Sequence, residues 1–180
     1  MKRKSFFNSA LYILNFMMLS LIIATIGLYF MGARINTSNS IAEGLYWTSS
    51  KPVAKGEYVI FCPPKRKIFD EAMQRGYIGS SFCPGGYGYM MKLVDAKKGD
   101  VISETAAGVF INGKLLPLSK PFAHDGLNRP LPILHIINHT LGKSELLLMT
   151  DRSPISFDSR YFGTINQSQI KSVIRPIFTW

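Results

Sequence analysis

The sequence predicts a mainly β domain carried behind one N-terminal transmembrane helix. Three observations predict it: an uncharged apolar run over 10–31, five short β-rich runs after it, and the Gly, Pro, Asn and Asp signals that divide those runs. With 180 residues, 47% of them hydrophobic, the chain is long enough for one domain with a sizeable core.

The run Ala10 to Met31 (ALYILNFMMLSLIIATIGLYFM) holds no charge. At about 1.5 Å per residue, a helix of that length spans the ~30 Å hydrocarbon core of a bilayer. Lys2, Arg3 and Lys4 precede it, so the positive-inside rule puts residues 1–9 in the cytoplasm and 32–180 on the far side, the periplasm of a bacterium. A cleaved leader shares the basic start and the apolar stretch. However, this run exceeds an h-region of about 7–15 residues, and the exit YFMGAR places Met31 where a cleavage site wants a small residue, so the segment reads as a retained anchor.

The net charge of +10 comes from 21 Lys and Arg against 11 Asp and Glu. The basic residues are scattered, as in Lys65-Arg66-Lys67 and Lys97-Lys98, and no helix-turn-helix, zinc or RNA-binding signature accompanies them. No nucleic-acid partner is expected. A solvated surface, or attraction to the lipid bilayer beside the anchor, accounts for the charge.

The predicted strands are EYVIFC (57–62), YMMKLVDA (89–96), DVISETAAGVFINGKLL (100–116), ELLLMTD (145–151) and SVIRPIF (172–178). Within the third, Asn112-Gly113 is the strongest short-range hairpin signal, with GVFI and KLLP as its arms. One short helix is expected between Pro63 and Ile78. Gly44-Leu45-Tyr46 reads as a turn, and PFAHDGLNRPLPILHIINHT (121–140) as a surface excursion, which leaves residues 117–143 without a role.

Cys62 in FCPP and Cys83 in FCPGG lack C-x-x-C spacing and have no nearby His, so they make a poor zinc site. In an oxidising compartment a disulfide closing about 20 residues is expected, and two unpaired buried thiols are the alternative.

Thr37, Ser38 and Ser40 crowd the stretch just after the anchor. A serine hydroxyl becomes a nucleophile only beside a base. His135 and His139 have the four-residue spacing of a helical metal pair, but no Glu completes an H-E-x-x-H site, and His124 lies alone. No metal or cofactor is expected. Lys92 stands in the apolar strand YMMKLV, where desolvation disfavours the ammonium and lowers its pKa from about 10.4, so that a neutral amine can take a hydroxyl proton. An outward-pointing lysine on a half-buried strand is the plain alternative.

Three patterns in order, SNSIAEGLY after the anchor, KLVDAKKGDVI at mid-chain and SFDSRYFG near the end, resemble the motif boxes of bacterial type I signal peptidases. GLYW after the serine and the paired FCPP and FCPGG segments look most like the conjugative-transfer subfamily, the TraF type. The resemblance runs from the anchor to the C-terminus and is weakest over 117–143. It implies a signal-peptidase-like β-barrel or sandwich catalytic domain over 32–180. It places Ser40 on the family's nucleophile, Lys92 on its general base, and Asp158 on an acidic residue that the subfamily needs for activity. Ser38 matches a hydroxyl that assists the oxyanion hole, and Ser156, with Ser159 and Arg160 alongside, matches the box that orients the lysine. The chain departs from the family where Ala42 and Lys98 stand in place of prolines.

The resemblance implies a membrane-anchored serine endopeptidase with a Ser-Lys dyad that cleaves, or cleaves and cyclises, a propilin or related exported precursor for conjugative pilus assembly through type IV secretion. Its partners would be that membrane-embedded substrate, the bilayer and the pilus assembly components. A general type I signal peptidase and a non-catalytic pilus-assembly subunit are the alternatives.

Overall fold

The structure, a computed structural model, describes residues 2–180, with side chains from Leu11 onward. Met1 and the basic side chains of Lys2, Arg3 and Lys4, on which the cytoplasmic placement of 1–9 rests, lie outside the described residues. The chain divides into two units, Met1–Arg34 and Ile35–Trp180.

The first unit is α1 (Lys2–Met31), whose Leu11–Met31 stretch is long and apolar enough to cross a membrane. The two aliphatic hydroxyls in this stretch are satisfied within the helix, with Ser20 donating to the Phe16 carbonyl at 2.9 Å and Thr25 to that of Leu21 at 3.0 Å. A span needs that, because lipid offers no other acceptor.

The second unit is mainly β. Its strands are β1 (Ala33–Asn36), inside which the division of the units falls, β2 (Gly44–Ser49), β3 (Tyr58–Phe61), β4 (Met90–Ala96), β5 (Val101–Thr105), β6 (Gly108–Ile111), β7 (Lys114–Leu115), β8 (Ile136–Thr140), β9 (Glu145–Met149), β10 (Ile165–Asn166) and β11 (Ile170–Thr179). Two short helices join them, α2 (Lys67–Gln74) and α3 (Ser159–Phe162). One sheet has the order β1-β2-β11-β3-β4-β9-β10 and the other β7-β6-β5-β8. The pairings from β2 through β10 are antiparallel.

The five expected strand regions and the helix after Pro63 are all present, and Asn112-Gly113 forms the two-residue loop between β6 and β7. Both loop residues have positive φ, 51° and 78°, as the hairpin's twist requires. Two expectations are corrected. Gly44-Leu45-Tyr46 is not a turn but the start of β2, paired to the end of β11. A Cβ on Gly44 would run into the Phe178 carbonyl, so the glycine serves close backbone approach rather than chain reversal. The excursion expected over 121–140 is at the surface but is not an excursion throughout, because Ile136–Thr140, which includes His139, forms the edge strand β8, with His135 just before it; the strand's mostly exposed residues give no alternation by which to recognise it.

The core that positions the site lies around α2. Phe69 on that helix is fully buried against Phe157 and Phe162, with ring centroids 6.3 and 5.1 Å away. Cys62 and Cys83 form a disulfide with a Cα separation of 5.4 Å, closing the chain on either side of α2. The covalent tie therefore fixes the helix whose aromatic face holds the segment around Phe157. Replacing both cysteines by serine is expected to lower the unfolding free energy of the full-length protein in detergent by about 2–4 kcal/mol, measured by chemical denaturation.

Candidate active site

Three separate stretches of the chain meet at the site, and each is immobilised by its own sequence. The first carries Ser40 on a turn. The neighbouring Ile41 is fully buried with Tyr46, Ile60, Met91 and Ile174, so its side chain anchors the turn to the sheet. The Asn36 amide donates to the carbonyls of Ser38, Ile41 and Ala42 at 2.8–3.0 Å. Thr150 donates to the Ser40 carbonyl at 2.6 Å, and Tyr46 to that of Ala42, also at 2.6 Å.

Lys92 lies at the centre of β4, opposite Val59 of β3. Alternation along the strand puts it on the face of Met90 and Val94, among apolar side chains of the main core, and only 1% of its surface is exposed. Its Nζ is 2.6 Å from Ser40 Oγ and 2.7 Å from Ser156 Oγ, and the two hydroxyls are 3.0 Å apart. Burial pushes its pKa down from 10.5 to about 8; the Asp158 carboxylate opposes that fall and the Arg160 guanidinium adds to it. An amine so placed is partly neutral near neutrality and can accept a hydroxyl proton.

The third stretch is 153–162. Phe157 stacks on Tyr161 at 6.0 Å and holds Ser156 and Asp158 on either side of itself. Asp158 caps α3 and grips Arg160 bidentately, Nε to Oδ1 and Nη2 to Oδ2 both at 2.8 Å, with both side chains fully buried. Nη1 of Arg160 also donates to the carbonyls of Pro154 at 2.8 Å and Lys120 at 3.2 Å, so the ion pair tethers the loop that bears Ser156.

The structure thus brings Ser40, Lys92 and Ser156 into one hydrogen-bonded cluster and places the Asp158–Arg160 pair behind it. Ser159 is elsewhere engaged, its Oγ accepting from the Leu148 N–H at 2.9 Å, which ties α3 to β9. Ser38 Oγ donates to Asn36 Oδ1 at 2.8 Å, so its hydroxyl proton is occupied in this state. The Ser40 N–H makes no hydrogen bond among the described residues.

Sequence reasoning missed Asn36, Thr150 and two carboxyls, Asp95 and Glu104. Glu104 is 4% exposed, and burial, then the Asp158 charge, push its pKa up to about 8. Asp95 rises to about 7, through burial and then the charges of Asp151 and Asp158. One signal was available for Glu104: period-two alternation puts it on the same inward face of β5 as Ile102. Asn36 and Thr150 gave none, because a polar side chain that holds a loop by backbone bonds looks like any loop residue.

The family signal peptidase, peptidase S26, matches residues 7–180. The chain belongs to the signal peptidase S26 family. A plasmid transfer protein TraF from Escherichia coli is 60% identical over 154 residues, 86% of each chain. A conjugal transfer protein TraF from Agrobacterium tumefaciens (strain 15955) is 33% identical over 159 residues, 83% of this chain and 84% of that one. Among solved structures, a signal peptidase I from Enterococcus faecalis V583 aligns over 69% of this chain and 98% of its own at 17% identity, with a TM-score of 0.41. Family membership and the apolar helix make this a membrane-anchored, serine-peptidase-like protein.

Two outcomes follow from the geometry. Below a pKa of about 8 the fraction of neutral Lys92 falls tenfold per pH unit, so any reaction needing the free amine should rise with pH and level off above about 8, measured as kcat/KM between pH 6 and 9.5. Asp158→Ala and Arg160→Ala each leave a buried charge without its partner and should each cost about 3–5 kcal/mol of stability; the double variant Asp158→Ala/Arg160→Ala should cost clearly less than the sum, read from a double-mutant cycle of thermal unfolding.

Proposed function

We propose that this protein is a membrane-anchored serine endopeptidase that matures a propilin or related exported precursor for conjugative pilus assembly, using Ser40 as nucleophile and Lys92 as general base. The 2.6 Å contact between the Lys92 amine and Ser40 Oγ, inside an apolar face that depresses the amine's pKa, carries the reading.

In this mechanism neutral Lys92 removes the Ser40 proton as Oγ attacks the scissile carbonyl. The resulting ammonium lies between the Ser156 hydroxyl and Ser40 Oγ, now bonded to the substrate carbon, and the Asp158 charge favours it, so the proton is held until the leaving amine takes it as the C–N bond breaks. The unpaired Ser40 N–H is oriented by a loop fixed through Asn36, Ile41 and Thr150, which suits it to receive the developing oxyanion. Ser38 joins it once its hydroxyl turns from Asn36. Ser156 fixes the lysine rotamer, and the Asp158–Arg160 pair fixes Ser156. The anchor would hold the domain at the periplasmic face of the inner membrane, where a membrane-held precursor presents its cleavage site and shared confinement raises the encounter probability.

The test is co-expression of the cognate propilin with wild-type, Ser40→Ala and Lys92→Ala protein in membranes, reading the pilin by mass spectrometry. Both variants should lose processing by about 10³-fold or more, as happens when either member of a nucleophile–base unit is removed. A product lighter than the linear mature pilin by one water would identify cyclisation. Full processing by either variant would return the protein to the non-catalytic assembly reading.

A further inference from the structure

Two cavities meet at Ser40. The smaller, about 340 Å³, is bordered by 35–38 at the end of β1, by 77–79, and by 89–92 at the start of β4. The larger, about 590 Å³, opens on the Ser156 side; Tyr77, Phe122, Leu131, Ile155, Phe157 and Tyr161 make its apolar walls, and Asn39, His124, Asp125 and Ser153 add polar lining.

The outer wall of the larger cavity comes from residues 120–131, a stretch without strands that the sheets do not need, yet it is held at many points. Arg160 binds the Lys120 carbonyl, the Tyr161 hydroxyl accepts the Phe122 N–H at 3.1 Å, and Arg75 donates to the Pro130 carbonyl at 2.7 Å. Asp125 accepts the N–H groups of Leu127 and Arg129, both at 2.9 Å, the Arg129 guanidinium at 2.6 Å and the Tyr77 hydroxyl. That carboxylate is fully engaged inside the protein and offers no free charge to a ligand, which leaves the apolar walls as the larger part of the recognition surface. Ile155 is 80% exposed and Phe122 41% exposed at its rim, apolar surface left in water beside the nucleophile.

We infer that this cavity is a preformed subsite for a bulky apolar side chain of the substrate polypeptide on the carboxyl side of the cleaved bond. The inference rests on the peptidase reading above. The smaller cavity, bordered in part by the strands β1 and β4, suits the acyl half of a substrate lying extended with small side chains. The other half must then leave Ser40 through the larger cavity, whose volume lies in the range of a built ligand site and admits an aromatic ring.

The experiment uses full-length protein in detergent with membrane-anchored model precursors that carry alanines before the bond and either Phe or Ser at the two positions after it. Wild type should favour the Phe precursor in kcat/KM by about 10-fold or more, the scale on which one apolar pocket discriminates. Ile155→Asp, at an exposed position where folding is tolerant, should bring that ratio towards one, whereas Ile137→Asp on β8 should keep it. Equal rates on the two precursors with wild type, or an unchanged ratio in Ile155→Asp, would each overturn the subsite. Cleavage that survives Ser40→Ala, or no cleavage of either precursor by wild type, would overturn the peptidase reading instead.

Discussion

The site depends on one costly placement, an amine taken out of water at the middle of a β strand. Lys92 shares its face with Met90 and Val94 and lies opposite Val59, where an ammonium has lost its hydration and regains only two hydroxyl contacts. That desolvation is what leaves part of the lysine as the free amine at useful pH, and it is also why the surroundings cannot be soft. A lysine on a flexible edge would recover water by moving outward. On β4, paired on one side to β3 and on the other to β9, it has no route outward.

The same constraint explains the effort spent on the two loops that supply hydroxyls. Both Ser40 and Ser156 belong to irregular segments, and each is fixed by a buried neighbour in sequence, Ile41 and Phe157. Side-chain bonds to backbone carbonyls complete the fixing, from Asn36 and Thr150 on one loop and Arg160 on the other. The disulfide contributes at one remove, through α2 and Phe69 to Phe157. In the proposed mechanism, geometry held within hydrogen-bond distance by rigid supports would let a weak nucleophile and a single amine act together.

Much of this was legible in the sequence, for identifiable reasons. A lysine inside an apolar strand is a violation of pattern, and such violations stand out. The long apolar helix, the Asn112-Gly113 hairpin and the disulfide followed from length, turn chemistry and cysteine arithmetic. Gly44 misled because a glycine needed for close approach has the same letter as one needed for a turn. The strand β8 was missed because an edge strand with little burial carries no alternation. Glu104 lay in plain view at an inward position, but its significance comes from Asp158 and Arg160, 54 and 56 positions further along, and that proximity is made only by the fold.

The Asp158–Arg160 pair shows why the third stretch uses two charges where one would seem simpler. A lone carboxylate behind Lys92 would favour the ammonium and oppose the effect of burial; a lone guanidinium would do the reverse, and either would be an uncompensated charge in the core. Together their influences on the amine have opposite signs, leaving desolvation as the leading cause of its low pKa. The pair is therefore free to serve as a mechanical tie, with the planar guanidinium matching the carboxylate on one edge and two backbone carbonyls on the other. Lysine at position 160 would keep the charge and lose the fork, so the requirement there is for arginine's geometry as much as for its sign.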